Sequence, residues 1–312
     1  MAKKSNNLVL IDADSMIYIV GSELENLQLE PLGIMKLDEF IGDILITTGS
    51  KEYIGFVAGK GRNFRKDVAI TKEYKGNRAI EKPDWFNFWQ PILIERMVSH
   101  WGFQECDNIE ADDAIAYIAN EIFTKPENRA TIVSTDRDFL QLVNNRISVW
   151  SPTKKKMYTP NTMREEFGID ASNYLLYRAL TGDKSDNIPG VNGVGLKTMI
   201  RRLPIITENK QLSVEELVEY ASNVEKKYKV HEIIESSSDI IQLNYKLMQL
   251  KNVDIAGNTK LLILEKVREE INKMDVLNFK KMFMVDKMYT VIKDLDTWMT
   301  TSFNSLNAFR NL

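Results

Sequence analysis

Residues 181–197 read TGDKSDNIPGVNGVGLK, and the two halves of this stretch carry different chemistry. Asp183 and Asp186 are three apart, so on a helical turn both carboxylates point the same way. Gly190, Gly193 and Gly195 then alternate with Val191 and Val194, a tight turn whose backbone amides no side chain covers. A glycine turn of this kind running into a helix holds a phosphate by its N–H groups, and Lys197 adds a positive charge. The bland alternative is a helix cap followed by a hairpin turn. A pair of carboxylates fused to a phosphate grip points instead to a nucleic-acid backbone held beside a metal.

Working outward, three more segments present acids at the ends of apolar runs. NNLVLIDAD (6–14) suits a buried parallel strand whose C-terminal end opens at a ligand crevice, with Asp12 and Asp14 on one side by strand alternation. IEADDAIAYIANEIF (109–123) predicts a helix. The helix dipole favours acids at its start, but Glu110, Asp112 and Asp113 exceed what capping needs and repel one another without a cation. RATIVSTDRDFLQLV (129–143) predicts a strand over Ala130–Ser134 that ends in Asp136 and Asp138 and enters a helix.

Between and after these, residues 36–48 read as a helix and YIGFVAG (53–59) as a second strand, followed by the basic loop GKGRNFRK (59–66). From Thr71 to about Phe103, Lys72, Lys75, Arg78 and Lys82 precede Trp85, Phe86, Phe88 and Trp89. That pattern suits single-stranded nucleic acid, with cations on phosphates and rings on bases. The aromatics equally suit an amphipathic helix anchored to the core. RISVWSPTKKKMYTP (146–160) reads as a strand and turn of a small hairpin with a solvated lysine run, and 161–180 as a helix capped by Asn161. Beyond Lys197 the patterns are helical, without repeats and without recognisable chemistry.

The 312 residues allow two domains or one large one, and a hydrophobic content of 44% supports a sizeable core. The single Cys106 excludes an internal disulfide and fits a reducing cytoplasm. His100 and His231 lie too far apart in sequence to suggest a histidine-based zinc or iron site. No stretch predicts a signal peptide or membrane span. The net charge of −3 argues at first against a nucleic-acid partner, but setting aside Asp12, Glu110, Asp112, Asp113, Asp136, Asp138, Asp183 and Asp186 turns it into +5. Carboxylates without histidine or thiolate partners select hard cations, and this many suit two of them acting on one phosphate.

IDADS, YKGNR, IEADDAIAYIA, STDRDFLQL and GDKSDNIPGVNGVGLK resemble, in that order, the motifs of the structure-specific 5′-nuclease family over about residues 8–200. This family comprises flap endonucleases, the 5′-nuclease domain of bacterial DNA polymerase I, and phage 5′→3′ exonucleases and ribonuclease H. SPTKKKM and the overall length look most like the phage branch. The resemblance implies an α/β fold with a mainly parallel central sheet flanked by helices. An α/β nuclease domain would span 1–173, with a helical arch at about 72–103 admitting a single-stranded 5′ end. A helical DNA-binding region would span 174–312, with a helix-three-turn-helix at about 174–204.

It further implies two Mg2+ (or Mn2+) ions. Asp12, Glu110 and Asp112 would hold the first and Asp136, Asp138, Asp183 and Asp186 the second, with Asp113 in or beside that group. Lys75 and Arg78 would contact the scissile phosphate from the base of the arch, and Tyr74 would stack on a base. The turn of Gly190, Gly193 and Gly195, with Lys197, would grip duplex backbone, with K+ on its carbonyls. The implied activity is 5′-3′ exonuclease and flap endonuclease hydrolysis near 5′ ends of DNA or RNA–DNA hybrids, as in RNA primer removal during replication. The implied setting is a monomer in the cytoplasm (that of the host, if phage-encoded), with replication proteins as partners.

One motif departs from the pattern. The family ends its second strand with an Asp before the basic loop, where this chain has Ala58. A substitution that impairs the first metal site, compensation by Asp14 or Asp67, and a binder of flapped or branched DNA without catalysis are the competing explanations. A phosphoryl-transfer enzyme acting on small molecules is a further rival, but the basic turn and arch would serve no purpose there.

Overall fold

The computed structural model describes residues 7–50, 52–61, 65–69, 72–76, 82–252, 255–268, 276–290 and 292–299; Arg78, with the rest of 77–81 in the stretch expected as an arch, lies outside the described residues. Strands β1 (Asn7–Asp12), β2 (Glu52–Ala58), β3 (Gln104–Cys106), β4 (Arg129–Val133), β5 (Ile147–Ser151) and β6 (Lys156–Tyr158) form one sheet ordered β3-β2-β1-β4-β5-β6. The first five are parallel, and β6 returns antiparallel to β5 as the expected hairpin. From β1 the chain moves outward through β2 and β3, then comes back to the other side of β1 for β4. That reversal opens a crevice beyond the C-terminal ends of β1 and β4, the usual place for a ligand in an open α/β sheet.

Strand alternation sends β1 into two cores. Val9 and Ile11 face one built with α1 (Ala13–Glu23), α2 (Glu30–Thr48) and α4 (Asp84–Ser99), whereas Leu8 and Leu10 face the other, shared with α5 (Ala111–Tyr117) and the later helices. Helix α3 (Arg65–Val68) is a single turn after the basic loop. The aromatics before residue 90 belong to the first core: Phe86 and Trp89 are buried, and Trp85 and Phe88 pack against it. A Cβ on Gly33 would stand 2.2 Å from the Trp89 ring, so the bare backbone of α2 is what admits the indole. These rings are therefore core anchors and not a base-stacking platform, and the part of the expected arch from Asp84 to Ser99 is a packed helix.

Other expectations shift at their edges. α2 begins six residues before the predicted 36, with Pro31 in its first turn. α5 passes into a π-helical turn at Ile118–Ile122, and the segment after β4 is a 3₁₀ helix, Arg137–Leu142. The helix expected from 161 to 180 is split into α6 (Pro160–Phe167) and α7 (Tyr174–Thr181) by Gly168, which ends α6 at φ 66°. Its cap is Thr159, which exchanges bonds with Thr162, and not Asn161.

The chain continues through α8 (Leu196–Arg202), α9 (Val214–Asn223), α10 (Lys229–Ser236), α11 (Ser238–Met248), α12 (Gly257–Arg268), α13 (Val276–Val285) and α14 (Leu295–Trp298). α11 packs chiefly on α7, and Phe283 and Met288 pack on Ile34 of α2. Among the described residues, no helix is long and apolar enough to cross a membrane.

Candidate functional site

Four stretches of chain bring carboxylates to the C-terminal edge of the sheet. Asp12 ends β1 and caps α1 through the Asp14 N–H; its other oxygen accepts the hydroxyls of Ser15 and Ser134, each at 2.7 Å. Burial, then the charge of Asp14, push its carboxyl up to about 7 against the pull of the two serines. Asp14 itself lies in the first turn of α1 and not on a continuing strand, so the alternation argument for its direction fails. It remains close enough to act on Asp12.

Beyond β4, Asp136 accepts the Asp138 N–H at 2.8 Å, and its own N–H is held by Ser134 at 2.9 Å. Burial raises Asp136, and repulsion from Asp186 and Asp183 adds to it; burial and then Asp136 push Asp138 to about 7. At the start of α5, burial followed by Glu110 and Asp113 raises Asp112 well above the usual range. Glu110 goes the other way: burial opposes its charge, but Lys75 and then Arg65 hold it below the usual range.

The fourth stretch is the loop between α7 and α8. Asp183 and Asp186 do not sit on a helical turn, as their spacing suggested. Asp183 and Ile188 exchange backbone bonds of 2.9 and 2.8 Å, closing a tight loop in which Asn187 is left-handed. The segment 73–75 docks on this loop: Asn187 Nδ2 donates to the Glu73 carbonyl, the Lys75 N–H to the Asp186 carbonyl, and the Tyr74 hydroxyl to the Asp186 carboxylate. Lys75 is thereby fixed at φ 58°, a costly conformation for a lysine, with Nζ 2.5 Å from Glu110.

Asp112, Asp138 and Asp186 face one cleft with Arg65 and Tyr74, and Leu247 and Met248 line its apolar side. Asp12 and Asp136 feel one another's charge, as do Asp136, Asp183 and Asp186. The expected residues thus converge, with two corrections. Asp113 is 1% exposed and both its oxygens are taken by Arg65, so it is a structural ion-pair partner. The Tyr74 ring is buried among Leu175, Ile188, Leu247 and Met248, so its hydroxyl bridges Glu110 and Asp186 instead of its face meeting a base.

Among the described residues, no three of these acids yet stand in the arrangement that would hold a metal ion. Arg65, Lys75 and Arg178 pair with them instead. The donor set is nonetheless all carboxylate oxygen, largely desolvated, which fits a hard divalent cation. Arg178 went unnoticed in the sequence, although it stands only five residues before Asp183.

The glycine turn is shaped by its backbone. A Cβ on Gly190 would lie 2.1 Å from the Thr181 carbonyl, and Gly193 has φ 80°. Gly195 precedes α8 with open space around it, and Lys197 is exposed. A groove runs from Asn192 and Gly193 past Thr198, Arg201 and Arg202 to Tyr228 and Lys229, with the Arg202 guanidinium stacked 3.5 Å over the Tyr228 ring. Only its glycine end was foreseen.

Ala58 ends β2 on the same face as Phe56, the register partner of Asp12. Two residues further along a neighbouring strand place it roughly 8 Å from Asp12 between Cα atoms.

The family described as 5′-3′ exonuclease, N-terminal resolvase-like domain, matches residues 7–168, and 5′-3′ exonuclease, C-terminal SAM fold, matches residues 169–270. A 5′-3′ exonuclease of Aquifex aeolicus is 31% identical over 233 residues, 74% of each chain. The flap endonuclease Xni of Shewanella loihica is 31% identical over 193 residues, 62% of this chain and 71% of that one. The match to the thermostable DNA polymerase I of Thermus filiformis, 36% identical, covers 46% of this chain and 17% of the polymerase. Among solved structures, the flap endonuclease of bacteriophage T5, in a pseudo-enzyme-product complex with DNA and metal ions, superposes with a TM-score of 0.69 at 20% identity, covering 84% of this chain and 100% of that one. At that identity the likeness concerns the fold.

Proposed function

The chain belongs to the 5′-3′ exonuclease and flap endonuclease family of hydrolytic nucleases, and from that premise we propose a divalent-metal-dependent hydrolysis of phosphodiesters near 5′ ends of DNA or RNA–DNA hybrids. The observation that carries the reading is the convergence of Asp112, Asp138 and Asp186, from three separate segments, on one cleft at the sheet's switch point. Asp12, Glu110 and Asp112 form one ligand group for Mg2+ or Mn2+, and Asp136, Asp138, Asp183 and Asp186 a second. When bound, such cations polarise a phosphate and lower the pKa of water.

The chain's own residues do the rest. Lys75, pinned at the cleft edge, presents a cation to the scissile phosphate, with Arg78 as its partner. The glycine turn, Lys197, Arg201 and Lys229 hold duplex backbone by charge and N–H groups, with K+ on the turn's carbonyls, so binding is independent of sequence. Ala58 leaves the first group one carboxylate short, with Asp14, whose charge acts on Asp12, or Asp67 as the compensating acid. The chain acts as a monomer at flaps and primer ends, beside replication proteins.

The test is a 5′-flapped duplex with Mg2+ or Mn2+. Replacing Asp183 and Asp186 together by Asn abolishes cleavage and leaves binding largely intact; undiminished turnover would remove both from the site.

A further inference from the structure

Arg178 lies in the last turn of α7, and its Nη2 contacts two carboxylates, one five residues on and one 40 residues back along the chain. It is 2.9 Å from Asp138 Oδ1 and hydrogen-bonded to Asp183 Oδ2, while Nε donates the hydrogen bond to that same Asp138 Oδ1 at 2.9 Å. The three side chains are only 14, 15 and 17% exposed. Asp183 Oδ1 is committed to the loop, accepting both the N–H and the hydroxyl of Ser185. Oδ2, the oxygen on Arg178, is therefore the one that Asp183 has to offer a cation.

We propose that Arg178 is a positioning residue that holds Asp138 and Asp183 together while no divalent cation is bound, and that it must withdraw for a cation to bind that pair. The inference rests on reading Asp138 and Asp183 as metal ligands. A cation shared by the two oxygens would sit about 2.1 Å from each. That is the notch Nη2 fills, so the two cannot occupy it together. A guanidinium keeps its charge at any working pH, so it leaves by moving and not by losing a proton. Without it, two partly desolvated carboxylates face each other. Arg178 thus keeps the metal-free loop closed and sets the concentration at which a cation takes over.

The test titrates Mn2+ into wild type, R178M, R178K and a D138N/D183N double variant by calorimetry, and follows melting with and without the metal. R178M is expected to bind one Mn2+ at least about tenfold tighter than wild type, since the two charge-assisted bonds of Arg178 no longer have to be broken. Metal-free it melts lower than wild type, and Mn2+ raises its melting temperature by more. R178K keeps the charge but loses the fork, so it falls between. Equal or weaker Mn2+ binding by R178M overturns the proposal; should R178M not fold, the same result with R178K does so. If the double variant binds as many Mn2+ ions as wild type, it is the ligand reading that fails, and the proposal with it.

Discussion

Arg65 Nη1 and Nη2 each lie 2.7 Å from one carboxylate oxygen of Asp113, a two-pronged ion pair buried on both sides. Its Nε donates to the Leu247 carbonyl, and Nη1 lies 3.5 Å from Glu110. One basic residue after the strand-2 loop thus ties the start of α5 to the end of α11. Arg65→Met is expected to cost about 3–5 kcal/mol of stability, because it strands a buried carboxylate. Asp113→Leu added to it should recover most of that loss. Urea denaturation of the single and double variants measures the coupling, and Asp113→Asn should keep the wild-type number of bound Mn2+ ions.

Ala58→Asp places a carboxylate on the strand next to Asp12, two residues beyond its register partner Phe56. It is expected to tighten Mn2+ binding by at least the ~10-fold that altering even a ligand's hydrogen-bond partner costs a metal site. Flap cleavage should speed up with it, and Asp14→Asn should slow the wild type. An Ala58→Asp protein that binds and cuts like wild type would show that this position plays no part in the site.

The groove beside the glycine turn makes a prediction about salt. Lys197→Ala, Arg201→Ala and Lys229→Ala should each weaken binding equally on unrelated duplex sequences. Each should also flatten the log–log salt dependence by about one unit. Fluorescence anisotropy from low to moderate salt reads both effects, and a loss confined to one sequence would contradict the backbone assignment.

Acidity sets the last prediction. Asp12 and Asp138 release their protons near pH 7 in the folded chain, against an ordinary value of 3.8. Between those values the folded form keeps protons that the unfolded form has lost, so rising pH favours unfolding. Glu110 and Asp183, held low, act in the opposite sense, but only below their ordinary values of 4.5 and 3.8. Lowered His100 also opposes, as one residue on the surface. The metal-free protein should therefore melt lower at pH 7.5 than at pH 5.5. Added Mn2+ should raise the melting temperature more at pH 7.5, where it need not displace protons.

The sheet and its acidic edge were readable because both are local: a short apolar run closed by Asp, as in Leu8–Asp12, states strand and crevice at once. The glycine turn was readable for the same reason. What sequence left open depends on distant partners. Trp85 to Trp89 suit bases and a core equally well until Gly33 is known to lie opposite. Asp113 reads like its neighbours until Arg65, 48 residues away, claims it. The Asp183–Asp186 spacing fits a helix turn and a closed loop alike, and only the Asp183–Ile188 bridge decides between them. Thr159 outcompetes Asn161 as a cap because Pro160 fits the first helical position.

Asn244, in the middle of α11, donates to the carbonyls of both Ala179 and Pro189, one on each side of the aspartate loop. A few residues on, the Leu247 and Met248 carbonyls accept from Arg65 and Gln141, and the Leu250 N–H returns a bond to Gln141. A fragment severed near residue 169 would take the Leu247 and Met248 carbonyls away from the Arg65 Nε and the Gln141 side-chain amide, uncovering the face on which α11 packs. The boundary between the two matched regions is thus a point along the chain and not a place where the molecule can be parted, and a sheet expressed by itself would lack the wall against which its acids are set.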